Sequence, residues 1–295
     1  MNEPMSLQLY PSRPVEEILE DLDFWTGRTK RALVHEAIEC YGAIAPRLLA
    51  LIDQVLADPD GYTKEDHDLL PYALVLLAHF RDERAHQPML ALFSLPGEMT
   101  HELFGDMRTS GLPFLLLRTC GGSFDGIRAL VQNRQANEFV RWAAMETLVV
   151  AVHAGEADRR ETITFLAGLL TGAEDDDLDS HFWSGVVDCL CDLYPDEVME
   201  IIDQAYAAGL VIPGVVSPED VQHCLDMGLE ATLERGREGL VWRIPDDIDE
   251  ALVWCESIVD NPAPSSKGEK CPGKNNAKKK KQKRKIAKAS KRRNR

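Results

Sequence analysis

The chain has 295 residues and a formal net charge of −16, with 33 Lys and Arg residues against 49 Asp and Glu residues. The charge is unevenly divided: residues 261–295 hold 15 basic residues and one acid, a net +14, so residues 1–260 hold 18 basic and 48 acidic residues, a net −30. These numbers exclude both a uniformly acidic globule and a basic one. We predict two domains, an acidic body over 1–260 that is long enough to bury a core, and a disordered Lys/Arg-rich tail over 261–295 that has no aromatic residue.

The composition of the chain predicts a soluble, cytoplasmic protein with no membrane partner. No run approaches the roughly 18 to 20 consecutive apolar residues of a membrane span. Residues 1–14 hold one basic residue and no apolar segment of the kind found in signal peptides. The seven cysteines are an odd number and lie mostly within apolar helical patterns, which favours reduced, buried thiols.

The body is predicted to be all-α. Its apolar residues recur at intervals of three and four, and alternating runs of β-branched residues are nearly absent. Residues 217–220 (Ser-Pro-Glu-Asp) provide an N-cap hydroxyl, a proline for the first helical position and two acids for the positive end of the helix dipole. Residues 246–249 open the last helix in the same way. First-turn positions are also predicted for Pro14, Pro46, Pro88 and Pro113.

A repeat in the body predicts about five helical hairpins. The second helices are marked by apolar residues at separations of 38, 38, 36 and 38 positions, namely Leu51, Met89, Ile127, Ile163 and Ile201. A hairpin of this length cannot bury its apolar face alone, so the five are expected to stack as an α-solenoid. The first helices are expected near 31–41, 69–80, 112–119, 139–153 and 182–193, and capping helices over 15–25, 217–235 and 246–259.

Two resemblances support this architecture. Residues 80–93 (FRDERAHQPMLALF) resemble the turn and second helix of a short HEAT-type unit, which implies a HEAT-like α-solenoid. A HEAT-like acidic body with a cysteine-containing basic tail also resembles the uncharacterised bacterial family catalogued as domain of unknown function 1186. Some of its relatives end in a zinc-binding SEC-C motif, and the segment around Cys271 resembles a degenerate form of it that lacks the second, third and fourth ligands. The resemblance therefore implies no zinc site, and it supplies no function.

Histidines and acids form two clusters with some potential for metal binding. His35 and Glu39 share a helix face, as the ligands of a helical zinc motif do, but no third ligand is identifiable. The histidines and acids of residues 79–86 straddle the turn of the HEAT-like unit, where charged caps explain them. We predict no catalytic, cofactor-binding or metal-binding residue, no cofactor, and no enzymatic activity.

The cysteines near the C-terminal half are predicted to be core thiols. Cys189 and Cys191 are two positions apart on a helix, so their side chains diverge by about 200° and do not readily ligate one metal. Cys224 follows His223 and has no partner at a recognisable spacing. None of the three cysteines is therefore predicted to bind a metal or to take part in catalysis.

The densest acidic segment is predicted to be a solvated loop between repeats. Its carboxylates have two alternative uses, to hold a hard cation such as Ca²⁺ or Mg²⁺ or to attract basic partners, including the protein's own tail. It lacks the spaced glycine and terminal glutamate of an EF-hand. The candidate residues for a basic partner are Glu174, Asp175, Asp176, Asp177 and Asp179.

The tail is predicted to bind polyanions. Each phosphate that a Lys or Arg neutralises releases a counterion, so such arms bind without reading sequence. No aromatic residue interleaves the basic ones, which gives no support for base stacking; the alternative is a tail that serves solubility alone. The candidate residues are Lys278, Lys279, Lys280, Lys281, Lys283, Arg284, Lys285, Lys291, Arg292, Arg293 and Arg295.

The leading functional hypothesis is a non-enzymatic helical-repeat adaptor that binds a protein partner of unknown identity and is anchored through its tail to RNA, the ribosome or another polyanion. The first alternative is self-association, in which the tail folds back on acidic loops in an autoinhibitory contact. The second is a metal-dependent enzyme that uses His35, Glu39 or the acidic loop.

Overall fold

The computed structural model describes residues 13–24, 30–63, 68–170 and 181–255. All of them belong to the unit Met1–Ala263. Their secondary structure is helical, which confirms the predicted all-α class, and the β contact found among them is an isolated antiparallel bridge between Pro96 and Ala136. The predicted boundary after residue 260 lies outside the described residues.

The described residues form seventeen α-helices. Those of the N-terminal half are α1 (Val15–Asp23), α2 (Arg31–Glu39), α3 (Tyr41–Ala57), α4 (Pro59–Tyr62), α5 (Leu69–His79), α6 (His86–Phe93), α7 (Met99–Phe104), α8 (Leu112–Thr119) and α9 (Asp125–Gln132). Those of the C-terminal half are α10 (Glu138–His153), α11 (Arg159–Leu169), α12 (Phe182–Cys191), α13 (Met199–Ala208), α14 (Pro218–Met227), α15 (Leu229–Glu238), α16 (Leu240–Arg243) and α17 (Ile248–Ala251). Short 3₁₀ turns precede α6 and α13, and a π-helical segment, Met107–Gly111, precedes α8.

Helices occur at the ten positions expected for the five hairpins, as the pairs α2/α3, α5/α6, α8/α9, α10/α11 and α12/α13. From the second pair onward, the first helices pack side by side, α5 against α8, α8 against α10 and α10 against α12. Among the second helices, α3 packs against α6 and α6 against α9. We call α5, α8, α10 and α12 the inner helices, and α6, α9, α11 and α13 the outer helices.

The four inner helices end in turns of related geometry. Each is followed by a residue with positive φ: Arg81 (53°), Gly121 (59°), Gly155 (75°) and Tyr194 (62°). A left-handed residue just past a helix lets the next main-chain N–H groups reach back to carbonyls of the last turn. The Asp82 amide donates to the Leu77 carbonyl at 3.0 Å in this way. The same reversal therefore sends each outer helix back along its inner helix.

Two local predictions were wrong, and two elements were missed. Pro46 lies inside α3, because α2 ends before Cys40 and α3 begins at Tyr41, five residues before the proline. The helix expected over 217–235 is two helices, because Gly228 has a φ of 80° and interrupts the ladder. The sequence pattern also missed α7 and the π-helical segment. The predicted capping box is confirmed: the Ser217 hydroxyl accepts from the Asp220 amide, and the Asp220 carboxylate accepts from the Ser217 amide.

The C-terminal segment 229–255 runs back over the inner helices. Helices α15 and α16 contact α10, and α17 contacts α5. On α8, Arg118 Nη2 donates to the carbonyls of Ile244 and Pro245, both at 3.0 Å, and the Phe114 ring lies 5.0 Å from the Trp254 ring. The inner helices are thus enclosed, and in α5 every residue from Leu70 to Ala78 is buried.

The contact between α15 and α10 leads to a stability prediction. A Cβ atom at Gly236 would overlap the His153 ring, and that ring is held because its Nε2 lies 3.0 Å from the Asp192 carbonyl oxygen. Gly236→Ala should therefore lower the free energy of unfolding by about 1–3 kcal/mol, measured by urea denaturation. The control is Gly168→Ala on α11, where nothing lies within 4 Å of the added atom and helix propensity should add about 0.5–1 kcal/mol. An equal rise in the free energy of unfolding in the two variants would contradict the packing of α15 on α10.

Candidate functional site

Three half-buried carboxylates lie together on two neighbouring inner helices. Glu146 is on α10, Asp188 is on α12, and Asp192 directly follows α12. Burial raises the pKa of Asp188 to about 6, and the negative charge of Asp192 adds to the effect. Burial also raises the pKa of Glu146, with Asp188 and Asp192 as further causes. The protein therefore holds Asp188 and Glu146 where their charged forms are disfavoured.

Two arginines from the C-terminal segment face this carboxylate cluster. Arg235 Nη2 of α15 lies 3.2 Å from Asp192 Oδ1, and Arg243 Nη2 of α16 lies 3.8 Å from Asp192 Oδ2. Both oxygens of Asp192 are thus paired. Arg243 also lowers the pKa values of Asp188 and Glu146 through its charge, but less than burial raises them.

Two thiols adjoin the cluster. Cys191 ends α12, and Cys224 lies on α14, which packs against α12. The hydrogen bond with Cys191 and the charge of Arg235 lower the pKa of Cys224 below its ordinary value. No recognisable spacing in the sequence marks this neighbour, because 33 positions separate two residues that helix packing brings together. Burial is confirmed for all six described cysteines.

This arrangement can exchange protons near neutral pH and can place a negative charge against a positively charged group. Burial brings the pKa of Asp188 to about 6, close to neutrality. Groups shifted in this way concentrate at functional sites. A sequence signal for Asp188 was available, since it is an acid within the apolar run of α12.

The structure separates the other candidate ligands. His35 Nε2 lies 3.3 Å from Asp249 Oδ1 on α17, so this contact joins α2 to the C-terminal segment. Asp82 caps the 3₁₀ turn by accepting from the Arg84 amide, and it accepts from the Tyr41 hydroxyl at 2.7 Å. His86 Nδ1 lies 3.1 Å from the Thr119 hydroxyl. In the part of the chain that the structure describes, no three His, Cys, Asp or Glu side chains are grouped to hold a metal ion.

The predicted basic tail and the predicted acidic loop lie outside the described residues. This applies to all eleven candidate polyanion-binding residues between 278 and 295, to the segment around Cys271 and to the five carboxylates of 174–179. Their proposed roles stay predictions.

A second surface feature lies between the outer helices α9 and α11. It is a shallow groove of about 490 Å³ lined by Arg128, Arg160, Glu161, Thr164 and Phe165. The Arg128 guanidinium lies 5.9 Å from the centre of the Phe165 ring, close enough for a cation–π contact. The groove therefore combines an apolar floor with charges of both signs.

None of the described helices is by itself long and apolar enough to cross a membrane. The bent pair α2 and α3, with 112° between its two helices, meets the criterion when the two are taken together.

The raised pKa of Asp188 predicts a stabilising substitution. A carboxyl whose folded-state pKa, about 6, exceeds its ordinary value of 3.8 destabilises the folded protein above pH 6, and this cost disappears as the pH falls towards 4. Asp188→Asn should therefore raise the free energy of unfolding by about 1–3 kcal/mol at pH 8 and by much less at pH 4.5. Urea titrations at the two pH values measure this. Asp203→Asn, at an exposed position of α13, is the control, and a gain independent of pH would contradict the assignment.

Comparisons with known proteins give the chain a family. Residues 13–257 match the family described as "Protein of unknown function (DUF1186)". An uncharacterised protein of Chlamydia muridarum is 30% identical over 248 residues, which cover 83% of this chain and 97% of that protein. An uncharacterised protein of Chlamydia trachomatis serovar D is 30% identical over 209 residues, which cover 70% of this chain and 82% of that protein. No solved structure matches. On the extent of the family match, the chain belongs to the DUF1186 family.

Proposed function

We propose that the protein is a non-enzymatic helical-repeat scaffold whose acidic body binds a protein partner and whose basic tail anchors it to RNA, the ribosome or another polyanion. The observation that carries the proposal is the succession of helix pairs with related left-handed turns, which supports a HEAT-like α-solenoid of five hairpins. Repeat proteins of this kind bind partners along an extended surface.

The partner surface in this proposal is the outer face. The inner helices are covered by the C-terminal segment, whereas the outer helices are buried on one side and exposed on the other. In α9, for example, Ile127, Leu130 and Val131 are buried, whereas Asp125 and Ala129 are exposed. The groove between α9 and α11 lies on this face, and its aromatic floor offers an anchor of the type that dominates binding energies.

The charge of the chain decides the chemistry of its partners. A body with a net charge of −30 attracts a protein with a basic surface and repels nucleic acid. The tail, with a net charge of +14, has the opposite preference. Polyanion binding is therefore assigned to the tail and protein binding to the body.

A salt series tests the tail. The full chain should bind single-stranded RNA at low salt, with an affinity that falls on a log–log plot with a slope of about −0.7 per neutralised phosphate. A 1–260 truncation should not bind. A full-length variant with the basic residues of 278–285 replaced by glutamine should bind more weakly and with a shallower slope, because fewer phosphates are neutralised. An affinity that does not depend on salt, or that neutralisation leaves unchanged, would overturn the anchor.

Site-specific crosslinking tests the partner surface. A photo-crosslinking amino acid at Thr164, an exposed residue of the groove, should capture a partner in cells of the source organism, and Arg128→Glu in the same chain should abolish capture. The matched control is the same crosslinker at Glu230, which is exposed on α15, away from the groove. Equal capture from both positions would count against the outer face as the binding surface.

A further inference from the structure

We propose that residues 229–243, which form α15 and α16, are a strap that ion pairs hold closed over α10, and that this strap opens while the rest of the body stays folded. When closed, it covers the side of α10 that carries Glu146 and His153. The strap therefore controls access to an inner helix and to the carboxylate cluster. The proposal is independent of the outer-face partner surface and of the tail.

The strap buries little of its own surface, which is the first argument. Thr232 is the one buried residue of α15, and α16 has none, both helices being described in full. On α16, Val241 and Trp242 are 52% and 77% exposed, so they do little to hold the helix on α10. The next helix, α17, differs because it buries Ile248 and Ala251. Since buried apolar area supplies most of the stability of a fold, a segment with so little of it opens more readily than its neighbours.

Both ends of the strap are anchored, which is the second argument. Before it, α14 is held by the buried side chains of Val221 and Cys224, and Gly228, with a φ of 80°, lies between α14 and α15. After it, Pro245 is buried, and Arg118 Nη2 donates to the Pro245 carbonyl at 3.0 Å. A weakly packed segment between two anchored ones can open as a unit without unfolding its surroundings.

The contacts that close the strap are ion pairs, which is the third argument. Arg235 Nη2 lies 3.2 Å from Asp192 Oδ1, and Arg243 Nη2 lies 3.8 Å from Asp192 Oδ2. One carboxylate therefore holds both helices of the strap. The three side chains are 48%, 39% and 32% exposed, and ion pairs at such positions are weak and are screened by salt. The loss of this one carboxylate should therefore release the strap.

Two histidines provide a reporter and a matched control. The ring of His153 packs against Gly236 of α15, where an added Cβ atom would overlap it. His86 lies on α6, away from the strap, with its Nδ1 3.1 Å from the Thr119 hydroxyl. Each histidine is 7% exposed, and burial lowers the pKa of both, so both are neutral imidazoles at neutral pH. A reagent that modifies neutral imidazole, such as diethyl pyrocarbonate, therefore distinguishes opening of the strap from unfolding of the body.

The test measures the rate at which diethyl pyrocarbonate modifies each histidine of the full chain, by peptide mass spectrometry. In Asp192→Asn we expect His153 to react roughly three- to tenfold faster, because the loss of two ion pairs raises the open population, and His86 to keep its rate. Arg237→Gln is the control variant, since Arg237 pairs with Glu234 of the same helix at 2.9 Å and should leave His153 unchanged. In the unaltered chain, sodium chloride at about 1 M, where the Debye length is about 3 Å, should also accelerate His153.

A second variant, Arg235→Gln with Arg243→Gln, removes the same ion pairs from the side of the strap, and circular dichroism establishes that each variant is folded. Three results would overturn the strap. One is that His153 reacts at its original rate both in the folded variants without the ion pairs and at high salt. Another is that His86 accelerates as much as His153, which would mean that the whole body opens. The third is that Arg237→Gln accelerates His153 as much as Asp192→Asn does.

Discussion

The structure depends on the burial of the inner helices from both sides. Outer helices cover one side, and α1, α2 and the C-terminal segment cover the other, so that α5 has no exposed residue between Leu70 and Ala78. Each large aliphatic side chain that is buried completely contributes about 1.5–3 kcal/mol. A run that is apolar on all faces thus becomes a stable central element. The same contacts hold α1 and the C-terminal segment on the body.

Such an enclosed layer tolerates polar groups where they are paired. Lys30 Nζ donates to the Leu22 carbonyl at 2.6 Å and lies 3.2 Å from Asp68. Arg141 donates to the Val131 carbonyl at 2.8 Å and stacks on the Phe182 ring. These long cationic side chains connect helices that are far apart in sequence. Asp188 is the contrasting case, since burial dominates its environment and raises its pKa.

The sequence pattern predicted element type and order well, because amphipathic periodicity is a local property. It located the ten helices of the five pairs and the capping box at Ser217. Its errors have local physical causes: Gly228 breaks a helix through its positive φ, and Cys40 starts a new one ahead of Pro46. The sequence pattern did not predict which segments cover the inner helices. The apolar run of α5 indicates that the helix is buried, but it does not indicate which segments lie against it.

The sequence by itself determined that this protein is helical, that its body is acidic and its tail basic, and where its helix pairs lie, since charge and periodicity are read residue by residue. The tertiary structure decided which face is closed and that Asp192 meets Arg235 and Arg243. Those contacts join residues 43 or more positions apart. They depend on helix packing angles and on desolvation, which arise when the chain folds and which no local pattern encodes.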